Sequence, residues 1–182
     1  YRITYPARPL VKPAPVDGAS VEQLLENLKL PEYRTRYRTR RELRARTPTE
    51  VLPKLRVWVA ALDPADPRYE HHRLEALWVS WGLNQIDVAL LAQLLRSPDE
   101  RVRAAAVRAV RYNGHRVPNQ AALLNQAAAD KQGRVRMEAM VASTWLPKKE
   151  ASMVLATIEK QPIDDWLRPH LEFIKKPNAD LL

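Results

Sequence analysis

Seven arginines crowd into one short stretch, Arg34, Arg36, Arg38, Arg40, Arg41, Arg44 and Arg46, with Tyr33 and Tyr37 set among them. On a helix, Tyr33, Tyr37 and Leu43 share a side with Arg36, Arg40 and Arg44, while Arg34, Arg38 and Arg41 form a flanking strip. Guanidinium groups interleaved with tyrosine rings suit phosphate or another polyanion. Arg34, Arg38 and Arg41 are therefore the candidates for weak polyanion binding. Residues 1–60 hold 13 Lys/Arg against 6 Asp/Glu, and the remainder 17 against 15, so most of the +9 net charge sits at one end. The plainer expectation is that one arginine stripe pairs within the fold while the other is solvated or docks on a neighbouring domain. Charge alone speaks to non-specific association, not to catalysis.

Other reactive chemistry is sparse. There is no cysteine, which removes disulfides, thiolate nucleophiles and Cys-ligated metals. His71 and His72 are adjacent, so on a helix they point about 100° apart and do not chelate one ion from one face. His170 keeps company with Ile163, Leu167, Leu171 and Ile174 and reads as a core histidine. Trp58, Trp78, Trp81, Trp145 and Trp166 read mostly as core by their spacing. Asp164 and Asp165 open a helix, where carboxylates favour the positive end of the dipole. No glycine-rich phosphate loop, Gly-x-Ser-x-Gly elbow or metal-spaced carboxylate cluster occurs. The expectation is a segment with no catalytic residue, no cofactor and no metal. A run of about 18 apolar residues, the minimum for a membrane span, is also missing.

What positions these residues is a recurring phrase, an arginine followed three residues later by a small residue on an apolar stretch. It reads Arg73-Leu-Glu-Ala76, Arg103-Ala-Ala-Ala106 and Arg136-Met-Glu-Ala139, with a worn copy at Arg36-Tyr-Arg-Thr39. Steps of 37, 30 and 33 residues between the arginines indicate stacked repeats. Few glycines and one phenylalanine against many Ala, Leu and Arg favour helix over sheet. The 15 prolines punctuate the apolar stretches. Ser20 with Gln23 forms a capping box for a first helix. Further helices are expected over 32–46, from Thr47-Pro48, from Asp66-Pro67 to Gly82, and over 86–96. Ser97-Pro98-Asp99-Glu100 reads as a second capping box, led by Ser97, and 118–129, 133–145, 147–160 and 163–175 complete about ten helices. Helices this short are unstable alone and must cover their apolar stripes by stacking. The fold expected is all-α, a solenoid of about five antiparallel helix pairs. Residues 1–18 differ, because Tyr1-Arg-Ile-Thr-Tyr5 alternates like a strand and Pro6, Pro9, Pro13 and Pro15 make an extended linker. The expected division is an extended segment 1–18 and a helical repeat domain 19–182, both part of a longer protein.

The phrase Ser97-Pro-Asp-Glu-Arg-Val102-Arg103-Ala-Ala-Ala106 resembles HEAT repeats of the short type, and Asp130-Lys-Gln-Gly-Arg-Val135-Arg136-Met-Glu-Ala139 matches it again. The resemblance implies that arginines and turn aspartates pair between neighbouring repeats in a ladder. Arg36, Arg73, Arg103, Asp130 and Arg136 are the positions it assigns, with Asp130 and Arg136 at the fitting spacing and Asp99 a looser equivalent for Arg103.

A narrower resemblance lies in residues 1–46, from Tyr1-Arg-Ile-Thr-Tyr5-Pro through Leu24-Leu-Glu-Asn-Leu28 to Tyr33-Arg-Thr-Arg-Tyr-Arg-Thr-Arg-Arg-Glu-Leu43. It is similar to the junction in large secreted bacterial membrane-bound dehydrogenase-type proteins, where a sugar-dehydrogenase-like β-propeller precedes a HEAT array. The resemblance implies a non-catalytic scaffold or docking module outside the cytoplasm, contacting neighbouring domains of the same polypeptide or another protein. Any quinone or haem site would then lie elsewhere, and the Cys-x-x-Cys-His haem signature is missing here. The alternative is a polyanion- or nucleic-acid-binding HEAT-like solenoid. An enzyme reading, a HEAT-like DNA glycosylase, would need a Trp, an Asp and an Arg to converge on a concave face.

Overall fold

The computed structural model describes residues 12–176. The strand expected at Tyr1–Tyr5 lies outside them. Among the described residues there are ten α-helices and no strand. The chain divides into two compact units, 1–61 and 62–182.

The first unit holds α1 (Val21–Asn27), α2 (Tyr33–Ala45) and α3 (Pro48–Ala60). Ser20 caps α1, accepting from the Gln23 N–H while the Gln23 side chain accepts from the Ser20 N–H, which satisfies two otherwise orphaned donors. Thr47 precedes α3 with Pro48 at its first position, where the missing N–H costs nothing. The core gathers Leu24, Leu25, Leu28, Leu43, Val51 and Leu55. Trp58 closes it and donates from Nε1 to Glu26 Oε1 at 2.9 Å.

The second unit holds α4 (Tyr69–Gly82), α5 (Val88–Leu94), α6 (Glu100–Tyr112), α7 (Gln120–Ala128), α8 (Gly133–Ser143), α9 (Lys148–Glu159) and α10 (Leu167–Ile174). Helix α4 packs on α5 and α6, α6 on α8, α7 on α8 and α9, and α8 on α9. From α6 to α8, each helix thus meets its sequence neighbours and the helix after next. That is the packing of stacked helix pairs, with α4, α6 and α8 in one row and α7 beside α9 in the other. The buried small residues Ala76, Ala104, Ala106, Ala109, Ala139 and Ala142 all lie in the first row, where they let helix axes approach closely. The fold is an all-α, HEAT-like solenoid.

Helix starts differ from expectation in an informative way. Asp99, not Ser97, is the N-cap of α6; Ser97 Oγ instead accepts from the Asp99 N–H at 3.2 Å inside the turn. The same turn recurs ahead of α4, α6, α8 and α10. Asp66 accepts from the Arg68 N–H, Asp99 from Arg101, Asp130 from Gln132 and Asp164 from Trp166, at 2.7 to 3.0 Å. Each aspartate satisfies a backbone donor at the entrance of a first-row helix or α10. The last helix starts at Leu167 rather than Ile163, so its buried stripe is Leu167 and Leu171 alone.

Candidate functional site

The arginines of the recurring phrase sit at the entrances of their helices. Arg36, Arg103 and Arg136 are each the fourth residue of a helix, in α2, α6 and α8. Arg36 Nη1 donates to the carbonyls of Leu30 and Pro31 at 2.7 and 2.6 Å. Arg103 Nη1 donates to Ser97 and Pro98 at 2.8 and 3.3 Å, and Arg136 Nη1 to Asp130 and Lys131 at 2.8 and 3.0 Å. All three therefore grip the carbonyls five and six residues back, the groups a turn leaves without partners. The planar five-donor head suits this task, and a lysine would not reproduce it.

Arg103 does more. Its Nε and Nη2 donate to Asp130 Oδ2 and Oδ1 at 2.7 and 3.0 Å, a fork closed on the carboxylate of the next repeat. Both side chains are nearly enclosed, at 10% and 13% exposure. Burial pushes the Asp130 carboxyl up, but the bonds from Arg103 and the Gln132 N–H outweigh it and hold it below the usual carboxylate range. Arg136 reaches onward through Nη2 to the Pro162 carbonyl at 2.5 Å; at Asp130 it meets the carbonyl, not the carboxylate, which Arg103 holds. Asp99 turns to Arg101, in a 2.8 Å pair with its Nη2. Arg73 departs from the pattern. It is the fifth residue of α4, one step further round the helix, and it bonds Glu70 at 3.0 Å and Gln93 while its guanidinium lies 5.3 Å from the Tyr69 ring centre.

On α2, Arg34, Arg38 and Arg41 are exposed, with no carboxylate in ion-pair reach among the described residues. Arg38 and Arg41 border a recess of about 540 Å³ with Ala14, Val16, Asp17, Glu42 and Ala45. Tyr33 and Tyr37 are exposed and stacked, their ring centres 6.3 Å apart.

Histidines and tryptophans partly reverse the expectation. His72 is buried, with Nε2 3.4 Å from Asp66 Oδ2, and burial keeps its pKa below the ordinary value although Asp66 pulls the other way. His71 Nε2 stands 3.3 Å from the fully buried Glu75 carboxylate one turn along the same helix. His170 is exposed rather than core, its Nδ1 2.8 Å from the Trp166 carbonyl, because no helix beyond α10 covers that side among the described residues. Only Trp58 is fully core. Trp78 and Trp81 are half-buried, and Trp145 and Trp166 are 53% and 80% exposed. The sequence reading also passed over Tyr112. Trp81, Tyr112 and Trp145 stand 31 and 33 residues apart, at the far ends of the first-row helices, and they touch. The Trp81 and Tyr112 rings stack at 5.6 Å, and Tyr112 meets Trp145 edge-on at 5.2 Å.

Among the described residues no three His, Asp or Glu side chains form a set that could hold a metal ion, and no helix is long and apolar enough to cross a membrane. The architecture defines a HEAT-like repeat protein by its stacking and its turn arginines. Comparison agrees for the second unit: the sequence model of the family described as HEAT repeats matches residues 88–171, from the start of α5 into α10. No curated protein and no solved structure matches the chain.

Proposed function

We propose that this chain is a non-catalytic docking module of a larger, extracytoplasmic dehydrogenase-like protein, holding neighbouring domains of the same polypeptide or another protein. The observation that carries the reading is where the strongest polar groups are spent. Arg36, Arg103, Arg136 and Asp130 bond the array's own turns, so the best-placed charges build the stack rather than face a substrate. HEAT repeats generally mediate protein–protein contacts. The dehydrogenase context and the location outside the cytoplasm rest on the likeness of residues 1–46 to the propeller junction.

Two measurements test this. The chain supplied with sugar, quinone cofactor and a redox dye should give no turnover; steady oxidation would overturn the non-catalytic reading. Deuterium uptake of the chain alone and within the longer protein should differ by protection at array surface positions; identical uptake would remove the docking reading.

A second reading, polyanion binding, is favoured by the free guanidinium groups of Arg38 and Arg41 at the same recess, with the stacked Tyr33 and Tyr37 on the same helix. Its test is the salt titration described in the Discussion.

A further inference from the structure

The row Trp81, Tyr112, Trp145 is built around one cation. The guanidinium of Arg111 lies 5.1 Å from the Tyr112 ring centre and 4.7 Å from that of Trp145. Its Nε is buried without a hydrogen-bond partner. Arg101, Arg103 and Arg108 on the same helix each hold a carboxylate, Asp99, Asp130 and Glu138 respectively, whereas Arg111 holds none among the described residues. The side chain is only half-buried, so its charged head stays within reach of an incoming acceptor, and an unmatched charged donor favours one. The surroundings add to the same sign. Arg116 is exposed, with Nη1 3.4 Å from Asn84 Oδ1 just beyond α4, and the exposed Lys148 and Lys149 open α9 three residues past Trp145.

We propose that Trp81, Tyr112 and Trp145, with Arg111 between the last two, form the docking surface for an acidic protein segment whose carboxylate bonds Arg111. This rests on the docking reading above and names the chemistry of its partner. Charge complementarity selects the occupant. The ring contacts weigh against a nucleic acid, which stacks its bases on ring faces: one face each of Trp81 and Tyr112 is spent on the other, and Arg111 lies over Tyr112 and Trp145. Ring edges carry the positive end of the quadrupole, which favours carboxylates.

The test uses the 182-residue chain and a short labelled peptide of alternating glutamate and proline, followed by anisotropy and tryptophan emission at about 150 mM salt. Arg111→Gln and Trp145→Ala should each weaken binding by about tenfold or more, a hot-spot loss. Arg111→Lys, keeping charge but losing the fork and the stacking, should fall between. Arg56→Ala, an exposed cation elsewhere on the chain, should leave the affinity unchanged. Circular dichroism checks that each variant is folded, and Arg111→Gln carries the decision if Trp145→Ala is not. Absence of peptide binding, or binding indifferent to Arg111→Gln, would overturn the assignment. So would tighter binding of oligothymidylate than of the peptide, lost in the same variants, which would make the row a nucleic-acid surface. The deuterium experiment stands apart: protection elsewhere on the array with no peptide binding sinks the ring row and leaves the docking module.

Discussion

Arg103 and Asp130 are joined across the stack by two parallel hydrogen bonds, while a third nitrogen of the same guanidinium holds the turn behind its own helix. One side chain thus closes a turn within a repeat and locks that repeat to the next.

Removing either partner strands the other in a nearly closed site. Arg103→Ala and Asp130→Ala should each cost about 2–4 kcal/mol. Their double mutant should lose clearly less than the sum of the two, by about 1–2 kcal/mol. Equilibrium urea unfolding measures all three, and strict additivity would mean the fork contributes nothing of its own.

The start of α6 separates two aspects of one turn. Asp99→Ala removes the cap and should cost about 1 kcal/mol. Leu77→Ala, at a fully buried position, should cost about 2–5 kcal/mol. Midpoint shifts of the two variants in the same urea series check the order, and a neutral Leu77→Ala would mean that α4 does not anchor the core.

Acid should act on two groups in sequence. His72 is held below its ordinary pKa by burial, so the unfolded chain takes up its proton first, and the stability tied to the neutral ring is full above about pH 6.5 and lost as pH falls. Burial opposes but the Arg103 and Gln132 bonds win at Asp130, so its contribution is full above about pH 4 and lost below, as pH drops through the folded value. Thermal melts across pH should show both steps. His72→Gln should flatten the upper one and Asp130→Asn the lower.

On α2, labelled duplex DNA titrated at rising salt should bind weakly at low ionic strength and release near physiological salt, without sequence preference. Sub-micromolar binding that survives about 150 mM salt and is abolished by Arg34→Ala/Arg38→Ala/Arg41→Ala would move the polyanion reading ahead of the docking one.

Much of the array was legible because the repeat phrase encodes a backbone need. An arginine four residues into a helix reaches the turn carbonyls, and Arg36, Arg103 and Arg136 obey that geometry although the Arg36 phrase is the most worn. Arg73 was not legible in this way, since the position of its helix start rotates it off the turn and only the structure fixes that start. The tryptophans are misleading in the sequence because residue type does not fix depth. Trp145 falls two residues past the end of α8, where the buried stripe has stopped. The 31- and 33-residue spacing of the ring row was in the sequence, but it marks a helix end, and core patterns do not reach there.

The aspartate turn recurs at 66, 99, 130 and 164, each carboxylate holding the backbone N–H two residues further on. A corner stitched by its own aspartate is portable. An array assembled from such joints can grow or shrink by whole duplicated units, because each new copy brings the stitching for its own corner. Length then becomes the variable that evolution adjusts, and the reach of the protein can change while its joinery stays the same.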